Sequence, residues 1–177
     1  MNNSIFFAPH HDDETLFGAF TIQKRHPDIA ICFEADYLPD KRLLETINAL
    51  NYLKHKGDLI LFGISEKNSD YNLLEENIKQ ISEKYKLAYA PADESNLESN
   101  YHHNIVGNLV EKYFGKDKTI RYLTYTWPNG RSTSSNIVPY NGTMVLRKLK
   151  AMSCYESQIN NTGVMDQFLY TQYEYYE

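Results

Sequence analysis

The chain has 177 residues and a formal net charge of -5, with 42% hydrophobic and 23% charged residues. These values predict one globular domain over residues 1–177, large enough to fold without disulfide bonds. The acidic charge argues against nucleic acid as a partner, and no apolar run reaches the about 20 residues that a membrane span needs. The two cysteines, Cys32 and Cys154, are too few for a disulfide framework, so we expect a cytoplasmic protein. The composition predicts no particular oligomeric state.

Short apolar runs alternate with segments of helical periodicity along the first two thirds of the chain. In chain order they predict a strand at 3–8, a helix at 15–25, a strand at 28–34, a helix at 40–56, a strand at 58–64, a helix at 72–85, a strand at 87–90, a helix at 105–114 and a strand at 119–125. We expect the apolar face of the second helix, which includes Leu44, Ile47 and Leu50, to be buried. The third strand reads as buried too.

The last third of the chain has weaker patterns. Residues 127–136 read as a turn-rich loop, 137–140 as a short strand and 142–155 as a helix, whereas 166–173 are only weakly helical. Strands that alternate with helices of ten to fifteen residues predict a parallel α/β sheet with helices on both faces.

Two adjacent histidine pairs stand where strands of this sheet are predicted to end. His10 and His11 open the segment HHDDE directly after the first strand, and His102 and His103 follow the fourth strand across a polar loop. Carboxyl ends of parallel strands meet at one edge, so both pairs belong to one cleft. Two imidazoles with carboxylates form a plausible catalytic Zn²⁺ site, with three protein ligands and one position for water. The alternative is a chance pair of surface histidines beside acids that complement a helix dipole.

The residue pattern by itself indicates a divalent-metal hydrolase of unknown substrate. The segment APHHDDE also resembles the A-H-P-D-D-E signature of the PIG-L/LmbE-like deacetylases, which are zinc-dependent N-deacetylases of acetylamino sugars. This resemblance implies that His10 and Asp13 bind the metal and that Asp12 is the general base. The later segment YHHNIVGNLV resembles the family's H-P-D-H-x-x-V-G element, aligned on Val106 and Gly107, which implies that His103 is the third ligand.

Two weaker similarities occur in the same order as in the family. RLLETINAL resembles its R-x-x-E-x-x-x-A stretch through Arg42 and Glu45, and KLKAMSCYESQI resembles its late K-x-x-A…S-Q helix through Lys148 and Ser157. Judged from the residues, Arg42 and Glu45 form a structural i,i+3 pair, with Arg42 as an alternative contact for a substrate hydroxyl or phosphate. Lys148 reads as a solvated helix residue.

The sequence departs from the family pattern at three positions. Asn100 replaces the histidine that helps to polarise the substrate carbonyl, and His102 replaces the following aspartate. We expect Asn100 or His102 to donate a hydrogen bond to the tetrahedral oxyanion. His11 replaces a proline, and the sequence allows two interpretations of it: a contact near the site or a solvated loop residue.

The resemblance implies a Rossmann-like three-layer α/β sandwich with a mostly parallel sheet. It also implies an enzyme that removes the acetyl group of an N-acetylated sugar or sugar conjugate by means of water activated by zinc, with Fe²⁺ as the other candidate metal. The small-molecule sugar is then the expected partner. Two alternatives remain: a zinc amidase or esterase for another substrate, and a metal-binding module without turnover. Trp127 reads as a packed aromatic residue beside a turn, with a sugar-stacking lid that includes Arg131 as the alternative.

Overall fold

The protein is built around five parallel strands and the helices that connect them. The computed structural model describes residues 3–92, 101–122, 136–159 and 175–176. Its strands are β1 (Ser4–Ala8), β2 (Asp28–Glu34), β3 (Leu59–Ser65), β4 (Leu87–Pro91), β5 (Thr119–Tyr122), β6 (Asn136–Ile137) and β7 (Tyr175–Tyr176). Its helices are α1 (Asp13–Arg25), α2 (Pro39–Tyr52), α3 (Tyr71–Ser82), α4 (Tyr101–Phe114), α5 (Gly142–Met152) and α6 (Glu156–Ile159), with a 3₁₀ turn at Lys116–Lys118.

The strands lie in the order β3-β2-β1-β4-β5-β7-β6, in which β1 to β5 are parallel and the two short strands β6 and β7 are antiparallel. The chain therefore runs outward from β1 to β3 and then returns to place β4 on the other side of β1. Strand order reverses between β1 and β4, and in open α/β sheets such a reversal forms a crevice at the carboxyl ends of the strands. The predicted parallel sheet is confirmed, and its crevice lies where the two histidine pairs emerge.

Alternate residues of the central strand pack into two separate cores. Phe6 and Ala8 of β1 belong to a core that includes residues of α1, α2 and α5, whereas Ile5 and Phe7 belong to one that includes residues of α3 and α4. The period-two alternation of a strand produces this division, since successive side chains point to opposite faces. The predicted three-layer sandwich is thus confirmed.

The prediction for the buried face of α2 is confirmed for Leu50 and wrong for Leu44 and Ile47. Leu44 and Ile47 are 57% and 41% exposed, while Arg42, Glu45 and Thr46 are buried. Both sets follow helical spacing, so periodicity alone does not say which stripe faces inward. The polar stripe is buried because it meets partners near the crevice, as described below.

Other predicted elements shift in ways that affect the site. Helix α4 begins at Tyr101 rather than residue 105, so His102 and His103 stand in its first turn. Strand β3 is only partly buried because it is the outermost strand of the parallel part. The predicted helix at 166–173 and the end of the predicted strand at 119–125 fall outside the described residues.

Lys148 is buried rather than solvated, which corrects the sequence prediction. Its Nζ donates a hydrogen bond to the carbonyl of Leu16 at 2.6 Å and lies 4.9 Å from the centroid of the Phe20 ring. The side chain therefore joins α5 to α1. Within the part of the chain that the structure describes, none of the helices combines the length and apolar character needed to cross a bilayer.

Candidate metal centre

The loop after β1 turns sharply to bring two aspartates into the crevice. Asp12 has φ 104° and ψ -29°, a left-handed conformation that is uncommon for a residue with a side chain. Its backbone N–H donates to Glu14 Oε2 at 3.1 Å, and Glu14 is itself fully buried, where it accepts from the hydroxyls of Thr15 and Tyr155. This network holds Asp12 in its unusual conformation and starts α1 at Asp13.

His10, Asp13 and His103 converge on one point of the crevice. Their potential ligand atoms all lie within 4.8 Å of one another. Asp13 Oδ2 lies 3.4 Å from His10 Nδ1 and 3.3 Å from His103 Nε2, and it accepts the backbone N–H of His10 at 2.8 Å. The topology explains the meeting, because β1 and β4 are neighbours and each is followed by one of these segments.

The spacing of these three groups fits a zinc ion. Ligands at about 2.0–2.2 Å from a tetrahedral zinc stand about 3.4 Å apart, which agrees with the two nitrogen–oxygen distances above. Two imidazoles and one carboxylate are also a donor set that zinc uses in catalytic sites. Burial opposes ionisation of Asp13, but the adjacent His103 and His10 outweigh it and hold the pKa of this carboxyl well below its usual value. The carboxylate is thus in the form that binds a metal.

Asp12 lies beside this cluster and forms an ion pair with an arginine. Arg42 Nη2 is 3.2 Å from Asp12 Oδ2, and the same nitrogen donates to the backbone carbonyl of His11. Burial and the negative charge of Asp13 raise the pKa of Asp12 to about 7, while Arg42 acts in the opposite direction. The two neighbouring aspartates therefore differ strongly in their acidity.

The two weaker sequence similarities meet in space behind Asp12. Arg42 Nη1 is 3.3 Å from the Ser157 hydroxyl oxygen and 3.8 Å from Glu45 Oε2. Glu45 accepts the backbone N–H of Ser157 at 2.9 Å and its hydroxyl at 2.6 Å. The expected i,i+3 pair is present, but it also joins α2 and α6 to the acidic loop, and the sequence alone did not predict this second connection.

His11 is not a solvated loop residue, since it is only 2% exposed. Its Nδ1 lies 2.8 Å from the Thr46 hydroxyl. Burial, followed by the charge of Arg42, lowers the pKa of His11 to about 4, so its ring is neutral. His11 therefore packs beneath the site.

His102 lies on the other side of His10. Its Nδ1 is 2.9 Å from His10 Nε2, and its Nε2 is 3.1 Å from the Ser69 hydroxyl oxygen. The ring stacks on Phe33, with centroids 4.1 Å apart and planes inclined by 20°. Burial and the neighbouring His10 and His103 lower the pKa of His102 to about 4. Asn100, the other predicted oxyanion donor, lies outside the described residues, as do Trp127 and Arg131.

Sequence reasoning missed Glu66 and Ser69. Glu66 Oε1 is 3.5 Å from His10 Nε2, and Ser69 contacts His102. Both residues follow β3, so the rule that directed attention to the carboxyl ends of β1 and β4 would have found them if applied to every strand.

A cavity of about 210 Å³ adjoins the cluster, and its walls are mostly polar. Its lining includes Asp36, Tyr37, Arg42, Glu66 and Lys67. Arg42 connects it to Asp12, and Glu66 connects it to His10. The cavity therefore borders two residues that contact the acidic loop and the candidate ligand His10.

Sequence comparison identifies no relative of this chain, because no family model and no curated protein matches it. Solved structures match its fold. The N,N'-diacetylchitobiose deacetylase from Pyrococcus horikoshii has a TM-score of 0.73 and 17% identity, over 97% of this chain and 76% of that one. The zinc-inhibited form of teicoplanin deacetylase has a TM-score of 0.69 and 12% identity, over 93% and 89% of the two chains.

The same fold also occurs in an enzyme of a different class. The 4-carboxy-2-hydroxymuconate hydratase from Pseudomonas putida has a TM-score of 0.61 and 10% identity, over 96% of this chain and 83% of that one. Similarity at these identities establishes the three-layer fold. The reaction has to be argued from the site residues.

Proposed function

We propose that this protein is a zinc-dependent N-deacetylase, a single domain that releases acetate from an N-acetylated sugar or sugar conjugate. The observation that carries the proposal is the convergence of His10, Asp13 and His103 with a second buried carboxylate, Asp12, beside them. Two of the structures reported above, like two further ones with this fold, are deacetylases, which supports the reaction class. One of them was obtained in a zinc-inhibited form, which is consistent with a metal site and does not identify the metal.

In this proposal His10, Asp13 and His103 hold the metal. Bound zinc would make water more acidic and would polarise the acyl carbonyl. Asp12 takes a proton from the attacking water and delivers it to the nitrogen of the departing amine, as a general base and then a general acid. The division of labour follows from surroundings, because Asp13 faces two imidazoles while Asp12 faces Arg42.

The sugar would occupy the cavity between Arg42 and Glu66. The acidic, basic and hydroxyl groups that line this cavity suit a polyhydroxylated ring better than an apolar acyl chain. Oxyanion stabilisation by Asn100 stays a prediction, and the position of His102 favours a different role for that residue.

The test is acetate release from a panel of N-acetylated sugars by protein loaded with one equivalent of Zn²⁺, with Fe²⁺ loading in parallel. We expect turnover of at least one sugar and its loss after metal removal by a chelator. Stoichiometric metal binding without acetate release across the panel would contradict the enzymatic proposal and favour a binding module. Release from simple N-acetyl amides, but not from sugars, would contradict the substrate class.

Two substitutions separate the roles of the adjacent carboxylates. Asp12→Asn should keep the metal and reduce turnover by about 10²- to 10⁴-fold, the usual effect of losing a general base. Asp13→Ala should weaken metal affinity, measured by competition with a chromophoric chelator. Equal metal loss in both variants would show that the two roles are wrongly assigned.

A further inference from the structure

A chain of hydrogen-bonding groups leads from the backbone after β3 to the candidate metal ligand His10. Ser69 Oγ is 3.0 Å from the carbonyl oxygen of Glu66 and 3.2 Å from that of Ser65. The same hydroxyl is 3.1 Å from His102 Nε2, and His102 Nδ1 is 2.9 Å from His10 Nε2. Three side chains thus connect one end of β3 to the site.

The first member of this chain sets the direction of all the hydrogen bonds. A backbone carbonyl only accepts, so the Ser69 hydroxyl donates its hydrogen there and accepts from His102 Nε2. A neutral His102 that carries its hydrogen on Nε2 has a lone pair on Nδ1, and it accepts from His10 Nε2. A neutral His10 is then left with a lone pair on Nδ1.

That lone pair faces a carboxylate oxygen. His10 Nδ1 is 3.4 Å from Asp13 Oδ2, and neither atom has a hydrogen to share when a neutral His10 carries its hydrogen on Nε2. Two acceptors at this distance are stabilised by a cation between them. The direction of the hydrogen bonds therefore places the hydrogen of His10 on Nε2 and leaves the Nδ1 lone pair available, as metal binding at Nδ1 requires.

We propose that His102 is a positioning residue which, together with Ser69, holds His10 in the tautomer that presents Nδ1 to the metal. The proposal rests on the metal site of the proposed function. Phe33 supports it by stacking on the His102 ring and so fixing its plane. Both ring nitrogens of His102 are engaged with Ser69 and His10, which favours this role over donation to the substrate oxyanion.

Histidine tautomers give a test that does not depend on a metal. Long-range ¹H–¹⁵N spectra at mildly alkaline pH, where imidazoles are neutral, distinguish protonation at Nδ1 from protonation at Nε2. We expect both His10 and His102 to carry hydrogen on Nε2 in the wild type. A His102 ring protonated on Nδ1, or a His10 ring protonated on Nδ1, would overturn the proposal.

Zinc affinity gives the second test, through a pair of matched substitutions. His102→Phe keeps an aromatic ring against Phe33 but removes the acceptor, and it should weaken zinc binding by about 10- to 100-fold, as loss of such supporting hydrogen bonds does. His102→Asn places an amide oxygen near the position of Nδ1 and should restore most of the affinity. Ser69→Ala should have an intermediate effect.

Tyr101→Phe serves as the control, because Tyr101 is in the same turn of α4 but is exposed. It should bind zinc as the wild type does. Wild-type affinity in His102→Phe would overturn the proposal, as would His102→Asn binding no better than His102→Phe. Should His102→Phe not fold, Ser69→Ala and the tautomer spectra decide, and wild-type affinity in Ser69→Ala then counts against the proposal.

The two tests also separate this proposal from the proposed function. A wild-type protein that shows the expected tautomers but binds no divalent metal would overturn the deacetylase proposal and leave the hydrogen-bond chain in place. Zinc binding and acetate release, together with a His10 ring protonated on Nδ1, would overturn the tautomer proposal and leave the deacetylase proposal in place.

Discussion

At the scale of single residues, the adjacent carboxylates Asp12 and Asp13 differ because their neighbours differ. Asp13 lies between two imidazoles, which favour its charged form when they are protonated. Asp12 is buried next to that negative charge and depends on Arg42 for compensation. Arg42 is therefore as important to the acidic loop as the two aspartates, although it stands thirty residues away on α2.

Arg42→Met tests this dependence. Removal of the guanidinium leaves the buried Asp12 without its cation and leaves the buried Glu45 with Lys41 alone, and breaking a buried ion pair from one side costs about 3–5 kcal/mol. We expect a loss of stability of that size in urea denaturation, together with reduced turnover. Lys41→Met is the matched control: the Lys41 side chain is 44% exposed and lies 3.9 Å from Glu45 and 3.8 Å from Glu156, so its loss should cost about 0–1 kcal/mol. Equal stability of the two variants would show that Arg42 is dispensable.

At the scale of elements, close packing of α4 on β4 places the third candidate ligand. Gly107 stands four residues after His103 and hence on the same face of α4. A Cβ atom at Gly107 would collide with the backbone carbonyl of Pro91 in β4 and would come within 2.8 Å of Arg121 Nη1. The glycine of the V-G pair thus has a steric role, because it lets the helix approach the strand closely enough for His103 to reach Asp13.

Gly107→Ala should push α4 away from β4. A backbone oxygen in a buried strand cannot move aside, so we expect destabilisation of about 1–3 kcal/mol despite the better helix propensity of alanine. Zinc affinity should fall as well, since His103 moves with the helix. In Gly142→Ala, the control at the start of α5, the new methyl group meets no atom of the described residues within 4 Å, and both stability and affinity should stay unchanged. A Gly107→Ala variant with wild-type zinc affinity would contradict this account.

At the scale of the whole molecule, the candidate metal centre joins segments that are far apart in the chain. His10 and Asp13 follow β1, whereas His103 belongs to α4 and comes some ninety residues later. The unfolded chain does not hold these groups together, so a metal that binds them binds mainly the folded protein. Binding then adds to the free energy of unfolding.

Zinc should accordingly raise the thermal stability of the protein. At a free concentration 100 times the dissociation constant the gain is about 2.7 kcal/mol, which for a domain of this size corresponds to an increase in Tm of about 5–10 °C. Calorimetry with zinc and with a chelator measures the difference. Asp12→Asn should keep most of the increase and Asp13→Ala should lose it. An increase that persists in Asp13→Ala would place the metal elsewhere.

The sequence alone predicted the layered fold, and its resemblance to known deacetylase motifs indicated the candidate ligands. The alternation of apolar runs and helical periods predicted the parallel sheet, since each pattern depends on neighbouring residues only. Histidines and carboxylates after strand ends indicated the edge at which His10, Asp13 and His103 meet, because in a parallel sheet all carboxyl ends share an edge.

Only the tertiary structure decided which polar residues support the site. Periodicity predicted an inward face for α2 with Leu44, Ile47 and Leu50. Of these three only Leu50 is buried, whereas Arg42 and Glu45 are buried because they bind Asp12 and Ser157. Such partners are long-range in sequence, and no local pattern encodes them. The hydrogen-bond chain through His102 has the same origin: it exists because three different strand ends meet at one point in the folded molecule.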